Sequence, residues 1–271
     1  MGLREASILG LIQGISEFAP VSSSAHLALA RQMLGLDALP RAFDIALHAG
    51  SAAALLIATG PELARLSRAL AADLLRHDRV YSVESRHALR LALATAPAIC
   101  AGAVVHPWIA AHGNRPGSVA FCLAVGAVLL AAAEARGTRR GNVARTEVTD
   151  TDALLIGLAQ AVALLPGVSR SGATIAAARA RGLDRPTASH FSLLLAAPVT
   201  LAAVARTVPD WPHLRDQVPA STLALSATLS LLASAVGMQL LGRFTRRAGM
   251  LPFAPYRLTL AYAVYRCERH G

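Results

Sequence analysis

The chain has 271 residues, 54% of them hydrophobic and only 15% charged, with a mean hydropathy of +0.47. Soluble domains run at about 45–50% apolar and about 25% charged, so this balance excludes disorder, a coiled coil and a small disulfide scaffold. The net charge of +10 rests on arginine, which supplies all 26 basic residues and crowds into short connections. That placement argues against a nucleic-acid partner and fits the positive-inside pattern of a polytopic membrane protein.

In chain order, a first apolar stretch, 6–35, breaks at Ala19-Pro20-Val21-Ser22-Ser23-Ser24. Full spans are predicted at 42–59, 88–105 and 118–135, because a crossing helix needs roughly 20 mostly apolar residues. A second stretch, 151–181, breaks at Pro166-Gly167-Val168-Ser169-Arg170-Ser171-Gly172, and spans at 187–206, 220–241 and 250–267 follow. Irregular backbone survives at membrane depth only inside protein or beside a wet cavity. Both broken stretches are therefore predicted to be re-entrant helix hairpins. The N-terminus makes a poor signal peptide, since Arg4 and Glu5 cancel and Glu17 interrupts the apolar run. Cys100, Cys122 and Cys267 form no CxxC pair and imply neither a disulfide framework nor a zinc site.

The two breaks resemble each other. Gln13 precedes Ser22 by nine residues, as Gln160 precedes Ser169, and each serine opens a Ser-x-Ser after a valine. Phe43 stands seven residues before Gly50, and Phe191 seven before Pro198. One membrane domain, 1–271, is expected, with an internal repeat whose halves are 1–135 and 136–271. Arginine counts put connections 60–87 and 136–150 in the cytoplasm and 106–117 outside. The first hairpin then enters from outside, the second from the cytoplasm, and both termini are external. Halves of opposite orientation form an inverted-topology repeat, whose site lies near the bilayer midplane.

The chemistry-bearing residues gather at the breaks. Gly167 and Gly172 leave backbone N–H groups open to a ligand, Ser169, Ser171 and Thr174 add hydroxyls, and the resuming helix presents its positive end. Arg170 supplies a planar fork suited to phosphate and is costly in an apolar stretch if idle. In the first break, Gln13 and Glu17 share a helical face, and oxygen donors beside a phosphate site suggest Mg²⁺ or Ca²⁺; the alternative is that Glu17 caps the serine turn. Ser22, Ser23, Ser24 and His26 place hydroxyls near a titratable base. Asp44 and His48, also i and i+4, are supporting partners or interfacial residues, and Gln160 is the counterpart of Gln13.

These runs resemble a known family. Gln13-Gly14-Ile15-Ser16-Glu17-Phe18-Ala19-Pro20-Val21-Ser22-Ser23-Ser24-Ala25-His26 is similar to the first signature of bacterial undecaprenyl pyrophosphate phosphatases. Pro166-Gly167-Val168-Ser169-Arg170-Ser171-Gly172-Ala173-Thr174-Ile175 is similar to the second, and Phe191-Ser192 through Pro198 resembles the third. The likeness covers nearly the whole chain; Ala19, Ala25 and Gln13 depart from the family's usual leucine, glycine and glutamate.

The resemblance implies a multi-pass enzyme of the bacterial cytoplasmic (inner) membrane that hydrolyses undecaprenyl pyrophosphate to undecaprenyl phosphate, recycling the cell-wall lipid carrier. It implies a metal-associated pair at Gln13 and Glu17, a nucleophile and catalytic histidine at Ser23 and His26, and a pyrophosphate-binding turn at Arg170, Ser169, Ser171 and Thr174. The fold expected is all-α, with six transmembrane helices and two re-entrant hairpins, an active site opening to the external side, and membrane lipids around it. A homodimer is compatible with the sequence. The rival is an inverted-repeat transporter or flippase for an anionic lipid, with Arg170 and Glu17 as substrate and ion ligands; transport has no need of the Ser23/His26 pair.

Overall fold

The structure, a computed structural model, describes residues 2–36, 39–76, 80–112, 115–139, 144–207, 211 and 217–270. Among them run ten main helices: α1 Leu3–Phe18, α2 Ser23–Met33, α3 Arg41–Arg76, α4 Val83–His112, α5 Pro116–Arg139, α6 Asp150–Val162, α7 Arg170–Ala180, α8 Arg185–Ala205, α9 Ala220–Ala248 and α10 Phe253–His270. Five of these, α3, α4, α5, α8 and α9, are long and apolar enough to cross a membrane. Their outward faces carry exposed large side chains such as Leu93, Ile99, Phe121, Val128, Leu232 and Val236. Such a belt suits lipid and not water. The remaining expected span, 250–267, is helical as α10, but it is not among those five; Arg257 and Arg266 lower its hydropathy.

Both broken stretches are helix–turn–helix hairpins, α1–α2 and α6–α7. Each second helix opens just after a serine in an unusual conformation, Ser22 at φ 72°, ψ 98° and Ser169 at φ 69°, ψ 113°. Each ends on a left-handed glycine, Gly35 and Gly182. In both, the next leucine reaches back to close the helix: Leu36 N–H donates to Arg31 O (2.9 Å) and Leu183 N–H to Ala178 O (3.1 Å). This is the Schellman closure, which uses up carbonyls the helix leaves orphaned. The Gly-Leu pair that carries it is followed in the sequence by aspartate both times, at 35–37 and again at 182–184.

Packing follows a matched scheme. Hairpin helix α1 lies along α9 and α6 along α4, while α2 meets α10 and α7 meets α5. The pairs α3–α9 and α8–α4 correspond in the same way, and α3 packs directly on α8. Close approach is made by glycines: a Cβ on Gly10 would strike the Ser226 carbonyl, and one on Gly157 the Ala94 carbonyl. Phe43 and Phe191 are both fully buried, each in its own core cluster.

Two expected loops are largely helical. Connection 60–87 is occupied by α3 as far as Arg76 and by α4 from Val83, and 106–117 by α4 as far as His112 and α5 from Pro116. At 1.5 Å per residue the 36 residues of α3 reach about 54 Å, against a hydrocarbon core of about 30 Å. The Ala-, Leu- and Arg-rich stretch after Pro61 favours helix strongly. Polarity therefore ends the span without ending the helix.

Candidate functional site

The site forms where the turns of the two hairpins meet. Glu17, in the last turn of α1, is the hub: its Oε2 accepts from Ser23 Oγ (2.7 Å) and Gln13 Nε2 (3.0 Å), and its Oε1 pairs with an Arg170 guanidinium nitrogen (3.2 Å). Both partners of that ion pair are mostly buried, with side-chain exposures of 16% for Arg170 and 13% for Glu17. The Arg170 guanidinium also lies 5.8 Å from the Phe18 ring centroid. The hydroxyl of Ser23 thus faces a carboxylate and not His26.

His26 is held from both sides. Its Nδ1 lies 2.8 Å from the Ser22 carbonyl, and its Nε2 lies 2.6 Å from the Tyr256 hydroxyl. A carbonyl only accepts, so Nδ1 carries the hydrogen and, in the neutral ring, Nε2 accepts from tyrosine. The two rings also stack, 5.7 Å between centroids. Ser22 Oγ lies 3.1 Å from Ser24 Oγ, and Ser24 Oγ accepts from Gly167 N–H at 3.4 Å, which joins the hairpins.

Within the second turn, several residues expected to face a ligand have other partners. Ser169 caps α7 by accepting from Gly172 N–H (3.2 Å), and Ser171 Oγ donates to the Ala19 carbonyl of the first turn (2.8 Å). Thr174 is fully buried, bonded to the Arg170 carbonyl (2.9 Å) and 2.6 Å from Ser192 of α8. Its hydroxyl has no exposed surface for phosphate and instead anchors the turn. Gly167, at φ 94°, lacks a Cβ because Val119 O of α5 occupies that space. Gly172 lacks one because the Arg257 guanidinium does. Both glycines answer to packing, where the sequence suggested ligand approach.

The side chains of the supporting candidates form no described hydrogen bond to Glu17. Asp44 forms an ion pair with Arg31, and exposed His48 turns its Nδ1 back to the Asp44 carbonyl (2.9 Å). A shared face at i and i+4 says nothing of what stands opposite that face. Gln160 is buried with neither amide atom bonded. Among the described residues, no group of three or more His, Cys, Asp or Glu could hold a metal. Gln13 Oε1, however, is a buried oxygen without a partner on the same side chain that touches Glu17. An oxygen-only pair with an orphaned acceptor fits a hard cation.

Two residues that hold this geometry stand outside the motifs legible in the sequence. Tyr256 braces His26, and its neighbour Arg257, fully buried, reaches both turns: it donates to Pro20 O (3.2 Å), Gly167 O (3.3 Å) and Val168 O (2.8 Å), and to Leu123 O at 3.4 Å. The signal was present, because an arginine inside an apolar span is costly unless it has work there. Beside His26 and Tyr256 lies a cavity of about 400 Å³, lined by Ile12, Ile15, Val21, Phe244 and Phe253.

Residues 6–263 match the family model described as bacitracin resistance protein BacA. The chain belongs to this family. It is 37% identical over 265 residues to the undecaprenyl-diphosphatase of Gemmatimonas aurantiaca, covering 98% of this chain and 97% of that one. It is 38% identical over 260 residues to the undecaprenyl-diphosphatase of Alcanivorax borkumensis, covering 96% and 97%. Membership in the family and the row of long apolar helices make this a multi-pass, all-helical membrane protein.

Proposed function

We propose that the protein hydrolyses undecaprenyl pyrophosphate to undecaprenyl phosphate and inorganic phosphate in the bacterial cytoplasmic membrane. The observation that carries this reading is the Glu17 carboxylate, shared between the Ser23 hydroxyl and the Arg170 guanidinium where the two hairpins meet. Two relatives bear the name of that activity. Ser23 Oγ attacks the terminal phosphorus and gives its proton to Glu17, while the anhydride bond breaks and undecaprenyl phosphate leaves with the electron pair. Water then displaces phosphate from the serine. Arriving pyrophosphate competes with Glu17 for Arg170, so substrate binding itself frees the carboxylate to act as base. His26 can exchange a proton only at Nε2, the atom now held by Tyr256.

Gln13 and Glu17 would hold a Mg²⁺ or Ca²⁺ ion, which when bound offsets phosphate charge; the unpartnered Gln13 Oε1 beside the Glu17 carboxylate supports this reading. The apolar cavity between α1, α2, α9 and α10 suits the start of a prenyl chain, at about 0.8 kcal/mol per methylene removed from water. The chain would reach the site sideways from the bilayer, with phosphate leaving on the external side, from which the first hairpin enters. In this scheme α10 is a sixth crossing helix, and the two halves are inverted repeats; the matched hairpins and helix pairings support that. Transport alone would have no use for a serine hydroxyl on the Glu17 carboxylate. The deciding experiment is phosphate release from undecaprenyl pyrophosphate by purified protein in detergent, with and without chelator. We expect turnover that falls sharply on chelation and returns with Mg²⁺ or Ca²⁺; no release under any condition would refute the enzymatic reading, and full activity in excess chelator would remove the metal.

A further inference from the structure

We propose that Arg257 is a positioning residue, a buried guanidinium on α10 that fixes the two hairpin turns relative to each other and so sets the distance between Ser23 and a phosphate held by Arg170. This deepens the reading above and rests on its assignment of Ser23 and Arg170. Arg257 is fully buried, and its described hydrogen bonds all go to backbone carbonyls, none to a carboxylate. A buried cation without a counter-ion is costly unless its N–H groups are well used.

Here they serve three carbonyls of the turns, Pro20 O on one hairpin and Gly167 O and Val168 O on the other. Those carbonyls lie just before Ser22 and Ser169, the two non-glycine residues with positive φ among the described residues. Just after them come Ser23 and Arg170. Irregular backbone in a membrane must find its partners inside the protein, and a single side chain supplies them to both turns. With their oxygens bound to Arg257, these carbonyls are neutralised towards an approaching anion. Only a planar fork with five donors can do this; a lysine ammonium cannot span both turns.

The surroundings are cut to this guanidinium. A Cβ on Gly126 of α5 would overlap one of its terminal nitrogens, and a Cβ on Gly172 would crowd the other. Gly126→Ala therefore dislodges the guanidinium while keeping its charge, and it alters no residue placed in the catalytic or binding machinery.

The test is steady-state kinetics of undecaprenyl pyrophosphate hydrolysis by Arg257→Lys, Gly126→Ala and the double variant in detergent, normalised to the folded fraction from thermal melts. Each turn keeps its own local bonds, so binding should survive while alignment is lost. We expect kcat to fall on the order of tenfold or more in each single variant, with KM within about threefold, because small misplacements of reacting groups are expensive. The double variant should be hardly worse than the worse single one, since both remove the same contact. A wild-type kcat in both single variants, or a double loss equal to the product of the single losses, would overturn the proposal. If the wild-type protein releases no phosphate, the functional reading fails, and the pin is judged apart from it by cross-linking Ala19→Cys to Ser171→Cys. That pair should join in the Arg257 protein and lose efficiency with Arg257→Lys; equal cross-linking in both would overturn the pin.

Discussion

Ser23 and Arg170 both bind Glu17, yet the proposed mechanism uses them at different stages. The guanidinium can meet phosphate in the ground state and in the transition state alike, because its charge and fork do not depend on bond breaking. In the proposed mechanism the serine hydroxyl matters only once phosphorus is attacked. Losing a group used only in the transition state lowers kcat, and losing a ground-state contact also raises KM. Ser23→Ala should thus cut kcat by on the order of a hundredfold or more while substrate affinity stays near that of the wild type. Arg170→Lys keeps the charge but loses the two-pronged geometry, so KM should rise. Kinetics on folded, purified variants measure both. A Ser23→Ala enzyme running at the wild-type rate would move the nucleophile to His26 or to water.

At the level of helices and turns, the hairpins were legible because proline, glycine and serine interrupt runs that are otherwise apolar. The extent of α3 was not, because hydropathy marks where a helix leaves lipid and not where it stops. The partner of Asp44 is set by tertiary packing: Arg31 lies on α2. Arg257 shows the same limit, since its cost was visible in the sequence but the carbonyls that repay it come from three other parts of the chain. A comparable knot holds the second hairpin. Glu134 of α5, fully buried, receives Arg179 of α7 at 2.8 Å and Arg185 of α8 at 2.5 Å. Removing one partner of a buried ion pair leaves the other uncompensated, a loss of about 3–5 kcal/mol. Glu134→Leu should accordingly lower the melting temperature in detergent markedly. Arg65→Ala, which breaks the exposed pair with Glu84 (3.1 Å), should change stability by no more than about 1 kcal/mol. Equal melting of Glu134→Leu and wild type would show that the knot is not holding the hairpin.

Over the whole molecule, one end gathers the arginines. A cavity of about 910 Å³ is lined by Arg65 of α3, Arg86 and Arg90 of α4, His190 of α8 and Arg246 of α9. The late part of α3, the start of α4, the start of α8 and the end of α9 therefore lie together. By the positive-inside rule this end is expected to face the cytoplasm. The start of α9 would then lie outside, since α9 has 29 residues and runs about 43 Å at 1.5 Å per residue, more than the hydrocarbon thickness. Cysteines placed at two exposed positions, Arg86 and Ser221, in a background with Cys100, Cys122 and Cys267 changed to serine, test this with a membrane-impermeant thiol reagent. Ser221→Cys should react in intact cells, and Arg86→Cys only after the membrane is opened. Because both helices cross, the two results are coupled: a reversed molecule would exchange them, with Arg86→Cys reacting from outside. That outcome would overturn the orientation and turn the entry sides of both hairpins around with it, leaving the contacts of Glu17, Ser23 and Arg170 unchanged.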